Sequence, residues 1–196
     1  MKLAIFASGS GSNAEAIIQS IKVGELDAEA ALIICDKPHA KVFERAERLG
    51  IPCVLFQPKT YSSKQKYEEE IISLLRREQI DFIVLAGYMR LIGSTMLGEY
   101  EGKIVNIHPS LLPAFPGLDA IGQAFDAKVK ETGVTIHYVD EGMDTGPIVA
   151  QETVSIDYNE TRETLTKKIQ QVEHRLYPKT LQKIFSERKV GGETNE

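Results

Sequence analysis

Cysteine is scarce in this 196-residue chain: only Cys35 and Cys53 occur, far apart and beside apolar runs. There is no CxxC pair and no Cys/His pair at zinc spacing, so neither a metal knuckle nor a disulfide framework is signalled. Two reduced thiols beside the core are the expectation. Long apolar runs are also missing. The opening residues MKLAIFASGSGSN carry too short an apolar stretch for a secretory signal. No segment approaches the roughly 20 apolar residues of a membrane span. A cytoplasmic protein without membrane association is therefore expected. Basic blocks are absent, and the net charge is −5. That excludes a protein whose affinity comes from neutralising many nucleic-acid phosphates. It leaves room for one small anion, which a few backbone amides and one lysine suffice to hold.

What the chain does contain is an ordinary globular composition, 42% hydrophobic and 26% charged. A chain of this length buries about 70% of its unfolded surface, so one domain needs no crosslink or metal. Short apolar runs suggest strands at 2–7, 30–35, 52–56, 81–86, 103–108, 133–139 and 146–154. Between the early ones lie helical patterns. Asn13 to Val23 spaces Ala14, Ile17, Ile18 and Ile21 on one helical face. Ser62-Ser63-Lys64-Gln65 matches an S-x-x-Q capping box ahead of the stripe Tyr67, Ile71, Leu74 and Leu75. Strands alternating with helices predict an α/β fold, a Rossmann-like, mostly parallel twisted sheet with helices on both faces. The strands at 133–139 and 146–154, joined by the Asp- and Gly-rich DEGMDTG, predict an antiparallel ending. A C-terminal helix is expected near 160–184, with a flexible tail over 187–196.

The first motif, Ala7-Ser8-Gly9-Ser10-Gly11-Ser12-Asn13-Ala14, follows a strand and opens a helix. It fits G-x-G-x-x-A, and Asp36 ends the second strand, as in a dinucleotide fingerprint. The physical content is more general: glycines allow a tight turn, and free amides at a helix N-terminus attract an anion. A single phosphate or carboxylate satisfies the motif, and Asp36 reads as a solvated strand-end residue.

The second motif is IVNIHPSLLPAFPG, residues 104–117. Side chains two apart on a strand share a face. Asn106 and His108 therefore project together from an otherwise apolar strand, which Pro109 stops. Polar groups in such a place must find partners or do chemistry. They lie at the carboxyl end of a strand, where open α/β sheets bind ligands. The acidic loop with Asp140, Glu141 and Asp144 could bring a carboxylate to His108. Such a set lacks an obvious nucleophile, because Ser110 lies in no G-x-S-x-G elbow. It suits a reaction whose substrates supply the nucleophile while Asn106 and His108 stabilise an oxyanion.

With NIHPSLLPAFPG, TGVTIHYVDEGMDTGPI and LAGYMRL in hand, the chain resembles the phosphoribosylglycinamide formyltransferases of the folate-dependent formyltransferase family, over nearly its whole length. The resemblance implies transfer of a formyl group from 10-formyltetrahydrofolate, as co-substrate, to the amine of glycinamide ribonucleotide, without a metal. It implies Asn106, His108 and Asp144 as catalytic residues. It implies Gly11, Ser12 and Asn13 on the phosphate, Glu173 on the ribose hydroxyls, and Gly87 beside the substrate. Lys64, Met89, Arg90, Leu91 and Ile92, with Asp140 and Glu141, would hold the folate. The phosphate half would lie over about 1–100 and the catalytic and folate half over 101–186, in a monomer or homodimer. Where many relatives carry P-G-x-H-x-H, this chain has Pro116-Gly117-Leu118-Asp119-Ala120-Ile121, so no role is assigned to 118–123. His137 reads as structural, His39 and His174 as helix-associated, and Leu112-Pro113 as a candidate cis bond.

Other members of the resembling group formylate initiator methionyl-tRNA or hydrolyse 10-formyltetrahydrofolate, each with an added domain for which this chain leaves no room. A non-catalytic nucleotide-binding module would explain GSGSN but not Asn106, His108 and the acidic loop.

Overall fold

The computed structural model describes residues 1–192. Seven strands form one sheet: β1 (Lys2–Ala7), β2 (Glu29–Cys35), β3 (Cys53–Leu55), β4 (Phe82–Leu85), β5 (Ile104–His108), β6 (Glu131–Tyr138) and β7 (Ile148–Ser155). Their order is β3-β2-β1-β4-β5-β6-β7. The first five pair in parallel, whereas β6 runs antiparallel to both β5 and β7. This is the expected α/β sheet with an antiparallel end.

Strand alternation sends side chains to two cores. Leu3, Ile5, Val84, Val105 and Ile107 pack under α1 (Ser12–Lys22), α2 (Val42–Leu49) and α6 (Arg162–Gly192). Ala4, Phe6, Ile83, Leu85 and Ile104 pack under α3 (Lys64–Arg77) and α4 (Ser94–Glu99). A short α5 (Ala120–Asp126) begins only after Pro113 and Pro116, which exclude helix before it. Cys35 is buried and Cys53 partly buried, both as thiols, and burial pushes Cys53 up to about 12. Among the described residues, no helix is long and apolar enough to cross a membrane.

Several expectations need correction. The cap of α3 is Ser63, whose hydroxyl accepts from Lys66 N. Gln65 donates instead to Glu69 along the helix, because the neighbouring serine starts the helix one residue later. His39 lies in a turn with φ of +62°, not on a helix. The final helix continues through 187–192 to Gly192 instead of giving way to a tail at 187; 193–196 lie outside the described residues. Asp36 is buried, not solvated, because Ser8 Oγ donates to it at 2.5 Å. The Leu112-Pro113 bond, by contrast, is cis, in line with its reading as a candidate.

The long helix α6 is bolted to the sheet beside the cleft. Tyr177 is fully buried, and its one hydroxyl proton is shared between Leu85 O at 2.9 Å and Val105 O at 3.2 Å. These carbonyls end β4 and adjoin Asn106 on β5. Tyr177→Phe keeps the ring but leaves both carbonyls without that donor. It should lower the unfolding free energy by about 1–2 kcal/mol, read from urea denaturation midpoints. An unchanged midpoint would mean the hydroxyl contributes nothing net.

Candidate active site

The order of the strands reverses between β1 and β4, the place where open α/β sheets form a crevice at their carboxyl ends. A cleft of about 550 Å³ opens there. One wall is the turn from β1 into α1. Gly11 caps this helix with φ of +74°, and a Cβ there would stand 2.6 Å from Val42 Cγ2. Only glycine suits both the left-handed backbone and the space. Gly11 gives α1 no side-chain cap, and the first amide meets only a long 3.4 Å contact from Ser12 N to Ser10 Oγ, so the helix start can still turn its amides to an anion.

Asn13 is buried beside this turn and donates through Nδ2 to Glu173 Oε2 at 3.2 Å. Its Oδ1 is buried and finds no partner among the described residues. An orphaned acceptor at this position fits a ligand donor. Burial pushes the Glu173 carboxyl up to about 7, against the smaller opposing pull of the Asn13 amide.

The opposite wall is the loop after β4. Gly87 turns it with φ of +78°. Met89 and Leu91 are exposed at the cleft, Ile92 is buried under it, and Arg90 lies over the Tyr67 ring with its guanidinium 5.6 Å from the centroid.

The floor is where β5 meets β6. The antiparallel register sets Asn106 opposite His137 and His108 opposite Thr135. His137 Nδ1 lies 2.8 Å from Tyr138 O, and a carbonyl only accepts, so the proton is on Nδ1. Nε2 is then the acceptor for Asn106 Nδ2 at 3.2 Å. Burial holds His137 below the ordinary imidazole range, although Asp144 pulls the other way, so its 3.8 Å approach to Asp144 is not an ion pair. One N–H of Asn106 is thus committed to His137, and the second stays available to the cleft.

His108 is buried, donates from Nε2 to Phe115 O at 2.9 Å, and sets Nδ1 3.4 Å from Asp144 Oδ2. Asp144 reaches this point through a left-handed backbone with φ of +57°, a conformation Asp tolerates better than most residues. The same Oδ2 accepts from Gly117 N at 2.7 Å. Gly146, two residues on, is required by close approach, because a Cβ there would stand 1.8 Å from Tyr138 O. Asp140 braces the loop by accepting from Gly142 N at 3.0 Å and Thr145 Oγ1 at 2.7 Å.

The structure therefore brings Asn106, His108 and Asp144 together, and sets Gly11, Ser12, Asn13, Gly87, Met89, Arg90, Leu91, Ile92, Asp140 and Glu173 around the same cleft. Two residues fall outside its lining. Lys64, the exposed first residue of α3, lies behind the 87–93 loop with its chain against Gly93. Glu141 is exposed on the acidic loop, while its neighbours Asp140 and Gly142 face the cleft. Sequence reasoning missed His137, whose signal is its register opposite Asn106. It also missed Leu118 to Ile121, which form part of the wall, and the Asp119–Arg162 ion pair. Arg162, Thr166, Gln170 and Glu173 line the cleft from one face of α6. Their spacing of four, four and three is the signal that places them together.

Fold and site together place an Asn–His–Asp cluster in the crevice of an open α/β sheet. The formyl transferase family model matches residues 1–181, and the chain belongs to that family. A phosphoribosylglycinamide formyltransferase of Bacillus subtilis (strain 168) is 57% identical over 184 residues, 94% of each chain. The crystal structure of phosphoribosylglycinamide formyltransferase from Bacillus halodurans is 68% identical, covers 95% of this chain and 96% of that one, and has a TM-score of 0.92. Glycinamide ribonucleotide transformylase 1 from Geobacillus kaustophilus is 61% identical, covers 93% and 97%, and has a TM-score of 0.91.

Proposed function

We propose that this chain is a phosphoribosylglycinamide formyltransferase of purine synthesis, moving the formyl group of 10-formyltetrahydrofolate to the amine of glycinamide ribonucleotide. The observation that carries this is the convergence of Asn106, His108 and Asp144 on one cleft that runs from the α1 N-terminus to the 87–92 loop.

The phosphate sits on the amides of Gly11, Ser12 and Asn13, where the helix end favours negative charge. Glu173 accepts from the ribose hydroxyls. The pterin lies along Met89 to Ile92 and the Asp140 loop. The amine attacks the formyl carbon and forms a tetrahedral oxyanion. The free N–H of Asn106 and His108 Nε2 donate to it, the latter exchanging the Phe115 carbonyl for the stronger charged acceptor. His108 takes part in moving the proton released by the amine, and Asp144 balances charge on the ring. Collapse returns the carbonyl and expels N10 of tetrahydrofolate. The new bond is C–N to the amine, the broken bond is C–N10, and one proton passes from amine to N10. Lys64 and Glu141 contribute, in this scheme, only as fringe contacts to the folate.

The test is formyl transfer with purified protein, 10-formyltetrahydrofolate and glycinamide ribonucleotide, each reactant omitted in turn. Product tetrahydrofolate should appear only when both are present. Release of formate without the amine would make the chain a hydrolase, and ligand binding with no turnover would make it a binding module.

A further inference from the structure

Ser8 is not used by the mechanism above, yet it stands where the two substrate loops meet. It follows β1 directly and precedes the glycine turn. Ser8 is buried, with only 3% of its surface exposed, and so is Asp36 at 6%. A carboxylate only accepts, so the 2.5 Å contact fixes the Ser8 proton on Asp36 Oδ1. The hydroxyl oxygen then turns its lone pairs toward Met89, whose N–H donates to it at 2.9 Å. The Ser8 backbone adds a second link, its N–H donating to Gly87 O at 3.0 Å. One residue thus joins the carboxyl ends of β2, β1 and β4. On one side lies the loop assigned to phosphate, and on the other the loop assigned to folate.

The far end of the folate loop is anchored independently. Glu68, buried on α3, accepts from Gly93 N at 2.6 Å and Met96 N at 3.1 Å. Between the anchors, Tyr67 and Tyr88 share a 2.5 Å hydroxyl contact. With Gly93 held by Glu68 and Tyr88 by Tyr67, Ser8 fixes the entry to this loop through Gly87 O and Met89 N.

We infer that Ser8, oriented by Asp36, is a positioning residue that couples the phosphate loop to the folate loop, so that binding of the nucleotide pre-sets the folate site. The inference rests on the assignment of those two loops under the proposed function. A phosphate seated on the Gly9–Asn13 turn restrains Ser8 further, and the hydroxyl passes that restraint to Met89 N. A folate that meets an ordered loop loses less freedom on binding, which is positive coupling.

The measurement is calorimetric titration of a tetrahydrofolate analogue lacking a transferable formyl group into the full chain, with and without saturating glycinamide ribonucleotide. The nucleotide should tighten the analogue about tenfold in the wild type, within the usual range of coupling. In Ser8→Ala and Asp36→Ala the effect should fall below about twofold, while Asp36→Asn, which keeps an acceptor oxygen for the hydroxyl, should retain it. A merely structural hydrogen bond would lower the melting temperature in all three and leave the coupling intact. Undiminished coupling in a folded Ser8→Ala or Asp36→Ala overturns the inference, as does a wild type that binds both ligands independently. A wild type that binds neither ligand overturns the proposed function first, and this inference with it.

Discussion

Asn106→Ala should lower kcat for formyl transfer by about 100- to 1000-fold while leaving the affinity for glycinamide ribonucleotide within about twofold. The asymmetry follows from when the contact is made. The formyl oxygen is a weak acceptor in the bound folate and a full anion in the tetrahedral intermediate, so a donor aimed at it acts chiefly on the barrier. Loss of one such donor corresponds to about 3–4 kcal/mol. The amide is already oriented before reaction, because the neutral Nε2 of His137 accepts one of its two N–H groups. His137→Phe, which removes that acceptor and leaves the amide in place, should therefore reproduce part of the kcat loss. His108→Ala should fall at least as far as Asn106→Ala, since it removes a donor and a proton carrier together. The double variant should lose less than the product of the single losses, because the two donors serve one oxygen. Rapid-quench single-turnover rates, with nucleotide affinity measured separately, decide the matter. A drop in nucleotide affinity equal to the drop in rate would move Asn106 from the chemistry to ground-state binding.

How much of this site was legible beforehand depended on whether the determining contact was local. The period of two along β5 places Asn106 and His108 on one face with Ile104, and the half-buried Asn106 and buried His108 agree with it. The glycine turn before α1 was equally readable, because Gly11 needs its backbone conformation whatever surrounds it. His137 was not readable as a partner of Asn106. That contact exists only through the register of β6 on β5, and no turn chemistry in the intervening 109–130 specifies that register. Asp36 failed for a related reason. A carboxylate at a strand end is usually solvated, and only the approach of Ser8 from the next strand converts it to a buried acceptor. The α3 cap was displaced by one residue because two serines stand side by side and either supplies the same hydroxyl. Lys64 has no local contact that marks it in the sequence: as the first residue of α3 its side chain lies beside Gly93 at the end of the folate loop.

The second large effect concerns Glu173 and is a dependence on pH. Its carboxyl is 8% exposed and accepts one hydrogen bond, from Asn13, so burial pushes it up to about 7 from the ordinary 4.5. At pH 4 the group is protonated both folded and unfolded, and the raised value costs nothing. Between 4.5 and 7 the unfolded chain ionises while the folded chain keeps the proton. Stability from this group is then lost at about 1.4 kcal/mol per pH unit. Above 7 both forms are ionised and the loss levels off at roughly 3 kcal/mol. Glu173→Gln removes the titration and keeps the shape. Its stability relative to wild type should therefore improve by roughly 3 kcal/mol between pH 4 and pH 8, read from denaturation midpoints across that range. Parallel curves would show that the carboxyl titrates normally. The ligand is expected to reverse the balance. Ribose hydroxyls donate to the charged form and favour it, so nucleotide binding near pH 7 should release a proton and tighten as pH rises from 6 to 8. Titration calorimetry in buffers of different ionisation enthalpy reads that proton directly. In Glu173→Gln the proton release should vanish and the affinity should fall about tenfold or more, the loss expected for hydrogen bonds to a charged acceptor. A variant that is stabilised at pH 8 yet binds the nucleotide as tightly as wild type would separate Glu173 from the ribose and leave it a buried carboxyl with no ligand.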